Sequence, residues 1–392
     1  MYSFEYEYPV KVFFGEGSVA EKLTSQLDVL GNRILLTYGG SSAKKNGTLD
    51  EVLSLIRAAG KSVVEFSGIM PNPTWKKVQE GAELARKEKV TGVLALGGGS
   101  VIDTSKIIAL QAVNTASVWD VEINRKGSLD HPALPLGAIV TASGTGSEMN
   151  GGAVITNEEE KIKTGLFAPA ARFAFLDYHF MESLPARQVL SGAFDTLSHA
   201  LETYLGRSDE LNVSDDVSLA VMKNTVDNIH RIVTDIHDKE ARGNLMWDSA
   251  MAENGILKVG RVTDFEVHMI EHQFGAYTDC NHGEGLAVIQ PVYCTHVLDA
   301  ALSKLARFAR VVFAVSEADD RTAAEKGISA LYDLISEMGL PHRLSQLRMK
   351  DSADVLLTDE TLRRVADSTF LLSGGPRKLT SDEVFQILRE CM

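Results

Sequence analysis

The chain has 392 residues, a formal net charge of −14 and a hydrophobic fraction of 44%. Its length exceeds what one hydrophobic core usually covers, so we expect two domains. The acidic balance argues against a nucleic-acid-binding surface. The hydrophobic fraction is typical of a globular enzyme and not of a disordered chain.

Three cysteines, Cys280, Cys294 and Cys391, form an odd and widely spaced set. They give no disulfide framework, which favours a reducing compartment. The first residues contain neither a basic start nor an apolar stretch, so no signal peptide is predicted. No apolar run approaches the roughly 20 residues needed to span a bilayer. We therefore expect a cytoplasmic protein with no membrane or nucleic-acid partner.

The first half of the chain alternates short β-type runs with helical patterns. Strands are predicted at 10–14, 33–37, 62–66, 92–96, 136–141 and 172–176. Helices are predicted at 47–59, 74–88 and 100–113. This alternation predicts an open, largely parallel sheet with helices on its faces.

The fourth predicted strand leads into Gly97, Gly98, Gly99 and Ser100, and a helical pattern follows. A strand, a glycine-rich turn and a helix together present free backbone N–H groups and a helix dipole to a phosphate. Glycines there would allow close approach of the anion. Ser100 is predicted as the N-cap of the helix, and Asp103 either as its capping-box partner or as a functional residue. A glycine triplet also occurs in ordinary sharp turns.

A second small-residue segment, 141–148, follows the fifth predicted strand and includes Thr141 and Thr145. Its hydroxyl groups and glycines suit contact with a ribose or a pyrophosphate, although an ordinary Ser/Gly loop is the alternative. Ligands of open α/β sheets bind beyond the carboxyl ends of the strands. Both segments occupy that position, so we expect a dinucleotide there.

After Leu184 and Pro185 the pattern becomes helical and strand signals fade. Amphipathic helices are predicted at 213–234, 239–257, 263–277, 322–337 and 358–366. We place the domain boundary near residue 186, which gives an α/β domain over 1–186 and an all-helical domain over 187–392.

The helical half contains Asp195 and His199, and further along His268, His272 and His282. Asp195 and His199 lie four residues apart in an apolar-periodic run, so they share one helix face. A carboxylate and three imidazoles form a ligand set suited to Fe(II), Zn(II) or a similar divalent ion. Spacing alone leaves open whether His268 or His272 is a ligand, and a solvated Asp–His pair is the alternative.

Cys280 is a further candidate ligand near His282, with a small packed side chain as the alternative. Phe265, Phe274 and Tyr277 either line an apolar pocket or pack in the helical core. The predicted phosphate loops and metal ligands fall in different domains, so we expect nucleotide and metal to meet in a cleft between them.

Together these motifs resemble the iron-containing alcohol dehydrogenases, and within that family the butanol dehydrogenases and NADPH-dependent aldehyde reductases. The resemblance covers essentially the whole chain. It includes the motifs at 8–15, 71–74 and 184–189, the two loops and the histidine region. It implies an α/β dinucleotide-binding domain with a largely parallel sheet, followed by an all-α metal-binding domain, the plan shared with dehydroquinate synthase-like proteins.

The resemblance also implies roles for individual residues. The implied metal ligands are Asp195, His199, His268 and His282, and His272 would lie near the nicotinamide as a proton relay. The implied cofactor contacts are Asn72, Gly97, Gly98, Gly99, Ser100, Asp103, Thr141, Thr145, Lys161 and Leu184. Lys163 is an alternative to Lys161, and Asn150 lies where a cofactor or substrate contact would fall.

Two residues depart from the family pattern. Glu271 stands where the family often has a small residue before its middle histidine, and Asn281 stands where proline usually precedes the last histidine. We expect these changes to affect the substrate pocket more than the metal.

The turn after the second predicted strand contains Gly39, Gly40 and Ser41, followed by Lys44 and Lys45. An acidic residue after such a strand would bind the ribose 2′-hydroxyl of NAD(H). None is present, and small residues with two cations favour a 2′-phosphate. The sequence therefore predicts NADP(H) rather than NAD(H), with a solvated surface turn as the alternative.

The expected function is hydride transfer between NADP(H) and a small primary alcohol or aldehyde of the butanol/butanal kind, with the metal polarising the substrate oxygen. Alternatives are a glycerol dehydrogenase-like or dehydroquinate synthase-like enzyme of the same plan, or a non-catalytic nucleotide-binding protein. The resemblance suggests a homodimer.

Overall fold

The computed structural model describes residues 1–127, 132–208, 211–349 and 357–392. The chain forms two compact units, one over Tyr8–Pro185 and one that combines Met1–Glu7 with Ala186–Met392. The first seven residues thus group with the helical unit, where the backbone N–H of Tyr2 donates to the carbonyl of Gly260 at 3.0 Å.

The first unit alternates strands with helices. Its strands are β1 (Lys11–Phe14), β2 (Arg33–Tyr38), β3 (Ser62–Phe66), β4 (Gly92–Gly97), β5 (Leu136–Val140), β6 (Gly152–Asn157), β7 (Ile162–Phe167) and β8 (Phe173–Leu176). Its helices are α1 (Ser18–Gln26), α2 (Ser42–Lys45), α3 (Thr48–Ala58), α4 (Trp75–Lys87) and α5 (Gly99–Gln111).

Six of these strands form a parallel sheet in the order β1-β8-β5-β4-β2-β3. Every residue of β4 and β5 is buried, as expected for a parallel sheet covered on both faces. These six are the strands predicted from the sequence, so the largely parallel α/β architecture is confirmed.

The connections of the sheet reverse direction between β2 and β4. The chain leaves β2 towards β3 on one side and leaves β4 towards β5 on the other. Such a switch point opens a crevice at the carboxyl ends of the two strands, where open α/β sheets bind ligands. The turn at Gly39 and the triplet beginning at Gly97 follow these two strands.

Strands β6 and β7 form a separate antiparallel hairpin that the sequence analysis did not predict. Its β-branched residues, such as Val154, Ile155 and Ile162, are the signal that was available. The hairpin is tied to α5, because Asp103 accepts a hydrogen bond from the backbone N–H of Val154 at 2.8 Å.

The second unit is built from helices. They are α6 (Ala186–Leu205), α7 (Val213–Thr234), α8 (Lys239–Glu253), α9 (Glu266–Thr278), α10 (His282–His296), α11 (Leu298–Val312), α12 (Asp320–Glu337), α13 (Asp359–Ser368) and α14 (Ser381–Glu390). Within its described residues this unit contains no strand, so the predicted all-α character is confirmed.

Helix α10 is buried over nearly its whole length, from Gly283 to Cys294, as its largely apolar sequence leads one to expect. In the described parts of the chain, no single helix is long and apolar enough to cross a membrane. Helices α10 and α11, bent by 115° at their junction, meet that test as a pair, by length and composition alone.

Helix α8 carries a buried carboxyl group, Asp248, against α7. Its oxygens accept hydrogen bonds from the Asn224 amide at 2.9 and 3.0 Å and from the Thr225 hydroxyl at 3.3 Å. Burial raises the pKa of Asp248 from 3.8 to about 7. The folded protein therefore binds a proton that the unfolded chain has already lost. The free energy of unfolding should fall as pH rises from about 4 to about 7.

Asp248→Asn should remove this contribution, because the neutral amide needs no proton to be buried. We expect its melting temperature to exceed that of the wild type at about pH 8, by about 2–4 °C for each kcal/mol recovered. The advantage should shrink towards pH 5. Calorimetry at both pH values checks this, with Asp227→Asn, at an exposed carboxyl on α7, as the control. A constant difference across the pH range would contradict the assignment.

Candidate functional site

Helix α6 places Asp195 and His199 on one buried face. The Nδ1 of His199 lies 3.2 Å from Oδ1 of Asp195. The residues between and after them, including Leu197 and Ala200, are fully buried. A solvated Asp–His pair is therefore wrong, and the carboxylate faces the interior of the helical unit.

His268 on α9 and His282 at the start of α10 approach the same oxygen. Their Nε2 atoms lie 3.5 and 3.6 Å from Oδ1 of Asp195. The ligand atoms of Asp195, His268 and His282 all lie within 4.8 Å of one another. The ring of His199 packs on that of His268 with centroids 4.2 Å apart. The structure thus brings all four predicted ligands together.

The polar atoms at this point have no hydrogen-bond partner among the described residues. Oδ1 of Asp195, Nδ1 of His199 and Nε2 of His268 are buried and make no hydrogen bond there. Buried polar groups are normally satisfied. One carboxylate and several imidazoles converging with open lone pairs match the donor set of a divalent cation such as Fe(II) or Zn(II).

Electrostatics inside the cluster separate the protonation states. Burial opposes ionisation of Asp195, but the neighbouring imidazoles outweigh it and lower the pKa of Asp195 below its ordinary range. Burial lowers the pKa of His199 to about 4. Burial would also lower the pKa of His268, but Glu202 and Asp195 raise it to about 10. At neutral pH Asp195 is therefore ionised, and in the absence of a cation His268 carries a proton on each ring nitrogen.

His272 lies one turn after His268 on α9 and is buried. Its ring centroid is 6.0 Å from that of His268 and 5.3 Å from that of His282. It falls in a second close set with Glu271 and His282, and not in the set that contains Asp195. Geometry therefore selects His268 as the residue that faces Asp195.

Two buried glutamates at this site were not predicted. Glu202 on α6 faces Nδ1 of His268, and Glu271 on α9 faces Nδ1 of His282. A signal existed for Glu202, which follows His199 by three residues on the same helix. Glu271 was expected to affect the substrate pocket, whereas the structure pairs it with a predicted metal ligand.

The structure also shows the surroundings of the second departure from the family pattern, of the alternative ligand Cys280 and of two candidate pocket residues. Asn281 is the N-cap of α10, accepting from the backbone N–H of Glu284 at 3.0 Å. Cys280 is buried and its thiol donates to Glu271 at 3.7 Å. Phe274 is fully buried in the core. The ring of Phe265 lies 5.9 and 5.3 Å from those of His199 and His268, beside the cluster.

In the α/β unit, α5 begins at Gly99 with Gly98 as its N-cap, so the prediction of Ser100 as N-cap was wrong. The capping-box prediction for Asp103 was also wrong. Its carboxylate accepts from the hydroxyl of Ser147 and the backbone N–H of Val154. The side chain points away from the helix terminus because it joins α5 to the loop after β5 and to the hairpin.

The glycine triplet is required by close packing. A Cβ at Gly99 would lie 2.4 Å from Oγ1 of Thr145, and one at Gly98 would lie 2.9 Å from Cβ of Ala142. The backbone N–H of Thr141 donates to the carbonyl of Gly97 at 3.0 Å. The two predicted phosphate loops therefore form one surface beside the first turn of α5.

The remaining predicted cofactor residues have varied surroundings. Asn150 accepts from the buried Lys106 at 2.9 Å and from the backbone N–H of Gly152 at 3.0 Å, so its carbonyl oxygen bonds within the protein. Lys161 is exposed in the β6–β7 turn, whereas Lys163 is buried in β7.

Asn72 precedes α4 with a φ of 49°. The backbone N–H of Leu184 donates to the carbonyl of Met181 at 3.1 Å.

The turn after β2 places Gly40 and Ser41 in exposed positions and Gly39 in a half-buried one. A Cβ at Gly39 would meet only ordinary contacts, the nearest being the Ile69 carbonyl oxygen at 3.4 Å. A carboxylate from a distant part of the sequence lies beside this turn. Glu65 on β3 accepts from the hydroxyl of Tyr38 at 2.7 Å.

Known proteins match the chain along both units. A family model described as iron-containing alcohol dehydrogenase matches residues 9–178, and the C-terminal model of the Fe-containing alcohol dehydrogenase family matches residues 189–392. The chain is 33% identical to the probable NADH-dependent butanol dehydrogenase 1 of Bacillus subtilis, over 99% of each protein. It is 31% identical to the NADPH-dependent aldehyde reductase YqhD of Escherichia coli, over 90% of this chain and 91% of that protein.

Among solved structures, NADH-dependent butanol dehydrogenase A from Thermotoga maritima matches with a TM-score of 0.92 and 33% identity. The match covers 100% of this chain and 99% of that chain. The chain belongs to the iron-containing alcohol dehydrogenase family and is an oxidoreductase of the alcohol and aldehyde class. The resemblance predicted from the sequence is confirmed.

Gly99→Ala tests the packing of the phosphate loops. The new Cβ overlaps Thr145, so we expect the free energy of unfolding to fall by about 1–3 kcal/mol. Urea denaturation monitored by circular dichroism checks this. Gly165→Ala in β7 is the matched control, since no atom lies within 4 Å of its Cβ position. Equal midpoints for the two variants would contradict the packing argument.

Proposed function

We propose that the chain is a metal-dependent oxidoreductase that transfers hydride between NADP(H) and a small primary alcohol or aldehyde. The observation that carries the proposal is the convergence of three imidazoles on the buried Oδ1 of Asp195, at 3.2, 3.5 and 3.6 Å. A structural Asp–His pair would not need two further imidazoles from separate helices. Membership of the iron-containing alcohol dehydrogenase family supports the same reading.

Asp195, His199, His268 and His282 would hold one divalent ion, Fe(II) or Zn(II). When bound, such an ion polarises a carbonyl oxygen or lowers the pKa of an alcohol. Asp195 contributes a negative charge. Burial strengthens the attraction between this charge and a cation, because little water screens it. The imidazoles must present neutral nitrogens, so a cation must displace the proton that Glu202 and Asp195 favour on His268, and binding should weaken in acid.

The first turn of α5 would bind the pyrophosphate of the dinucleotide. Gly99 and Ser100 present backbone N–H groups at the positive end of the helix dipole. The Thr145 hydroxyl, which a Cβ at Gly99 would approach to 2.4 Å, would join them. The further contacts proposed are Asn72, Gly97, Gly98, Asp103, Thr141, Asn150, Lys161 and Leu184.

We propose NADP(H) as the cofactor because Gly39, Gly40 and Ser41 leave space for a 2′-phosphate and Lys44 and Lys45 follow directly. The names of similar proteins include both NADH- and NADPH-dependent enzymes, so this preference rests on the turn itself. The carboxylate of Glu65 would oppose this preference, and it accepts a hydrogen bond from the Tyr38 hydroxyl.

We propose His272 as the residue that relays a proton to or from the substrate oxygen. Its ring centroid lies 5.3 Å from that of His282, so it is next to a proposed ligand, although it does not belong to the set that contains Asp195. Neutral imidazole can both donate and accept a proton near neutral pH. The substrate is proposed to be butanol- or butanal-like. The expected homodimer and cytoplasmic location stay predictions.

His268→Ala should lose metal and activity together, because it removes one ligand and uncovers Asp195. We expect kcat/KM for NADPH-dependent butanal reduction to fall at least about 100-fold, in line with the several kcal/mol that a metal ion supplies. Elemental analysis and the NADPH-oxidation rate provide the two measurements. His230→Ala, at an exposed histidine on α7, should behave as wild type. Full activity in metal-free His268→Ala protein would refute the proposal.

Gly39→Asp should reverse the cofactor preference, because a carboxylate repels the 2′-phosphate and accepts from a free 2′-hydroxyl. We expect the ratio of kcat/KM for NADPH to that for NADH to fall by at least about tenfold, a change of about 1.4 kcal/mol. Gly165→Asp adds the same charge at an exposed position of β7 and should leave the ratio unchanged. If Gly39→Asp keeps the wild-type ratio of the two kcat/KM values, the turn does not contact the cofactor.

A further inference from the structure

The two unpredicted glutamates touch the predicted ligands on the side away from Asp195. Glu271 is fully buried on α9, and its Oε2 faces Nδ1 of His282. Glu202 is fully buried on α6, and its Oε2 faces Nδ1 of His268. In both imidazoles the opposite nitrogen, Nε2, is the one directed at Asp195.

This arrangement assigns the imidazole protons. A carboxylate can only accept a hydrogen bond, so Nδ1 must carry the proton in each pair. A cation can bind only after any second ring proton has left, and in the neutral imidazole the lone pair then resides on Nε2, the atom that faces the centre. Without the carboxylate, the proton could move to Nε2 and block that lone pair. Each glutamate therefore selects the tautomer that can bind a cation.

The position of Glu271 is defined by its neighbours. Its second oxygen, Oε1, accepts from the thiol of Cys280 at 3.7 Å. Across from it, Gly285 on α10 leaves room for the side chain, because a Cβ there would lie 2.9 Å from Cγ of Glu271. Both oxygens are engaged and the stem is packed, so the carboxylate cannot rotate freely away from His282.

Glu202 also accepts hydrogen bonds from the backbone at the start of α9. Its Oε1 accepts from the backbone N–H of Val267 at 2.5 Å, and its Oε2 accepts from that of His268 at 3.3 Å. These N–H groups belong to the first turn of α9, so they have no partner within the helix. The N-cap residue, Phe265, provides no capping side chain. Glu202 thus caps α9 from α6, and its loss would disturb the fold as well as His268.

We propose that Glu271 and Glu202 are positioning residues for the metal centre, fixing the tautomer and orientation of His282 and His268 and adding negative charge behind them. The inference rests on the proposed metal site. In His199 the nitrogen nearest Asp195 is Nδ1, at 3.2 Å from Oδ1, so this imidazole is oriented differently from those of His268 and His282. Two of the three imidazoles are therefore held by the protein before a cation arrives.

Glu271→Gln tests the proposal, because Glu271 acts on His282 without capping a helix. The full-length protein is stripped of metal with a chelator and titrated with Zn(II) in competition with a chromophoric chelator. We expect the Kd for Zn(II) to rise about 10- to 100-fold, while the metal-free variant keeps the melting temperature of the metal-free wild type.

Glu266→Gln is the matched control. Glu266 is also buried on α9, but its carboxylate accepts from the backbone N–H of Leu372 at 2.8 Å and not from a ligand imidazole. Its Kd for Zn(II) should stay within about twofold of wild type. If Glu271→Gln fails to fold, Gly285→Ala replaces it, since the added Cβ displaces the Glu271 carboxylate while keeping its charge.

The outcomes separate the two claims. A wild-type protein that binds no Zn(II) would overturn the metal site and this inference together. A wild-type protein that binds Zn(II), with Glu271→Gln or its replacement Gly285→Ala binding equally well, would overturn the inference alone. Equal weakening in Glu271→Gln and Glu266→Gln would also overturn it, because net charge and not contact with His282 would then set the affinity.

Discussion

The buried carboxylate of Asp195 is the constraint on which the helical unit depends. An ionised carboxylate removed from water is costly unless charge or hydrogen bonds compensate it, and here three imidazoles supply that compensation from α6, α9 and α10. These contacts with Asp195 therefore constrain the positions of the three helices. Helix α10 begins at His282 with Asn281 as its cap, and the start of α9 is tied to α6 through Glu202. Asp195, His199 and His268 are buried, which strengthens the electrostatic interactions among them.

In the α/β unit, the topology of the sheet determines where the proposed cofactor-binding turns lie. Because the connections reverse between β2 and β4, the turns after these strands lie beside one another at the carboxyl edge of the sheet. Gly99 and Thr145 then bring the loop after β5 onto the first turn of α5, leaving helix N–H groups exposed to an anion. Asp103 and Lys106, both buried, hold this surface from beneath through Ser147 and Asn150. Glu148 lies with them, and burial raises its pKa to about 7.

Much of this could be predicted from the sequence, because the signals are local. The six strands of the parallel sheet appear as short apolar runs, and the Asp195–His199 spacing identifies a helix face. Pairings between distant residues could not be predicted. Glu202 meets His268 across 66 residues and Asp103 meets Ser147 across 44, and no periodicity encodes such contacts. Serine favours the N-cap position, so the sequence predicts Ser100 there, whereas the helix begins one residue earlier, at Gly99. The β6–β7 hairpin was missed because its acidic turn at Glu158, Glu159 and Glu160 resembles a solvated loop.

Anomalous X-ray diffraction from crystals of the protein loaded with one equivalent of Zn(II) tests the metal centre most directly. We predict a single strong anomalous peak bonded to a carboxylate oxygen of Asp195 and to nitrogens of His199, His268 and His282, at about 2.0–2.2 Å. The chain offers a rival location in the described residues, the exposed set of Glu16, His179 and Glu182. A peak there, with none at Asp195, would contradict the account.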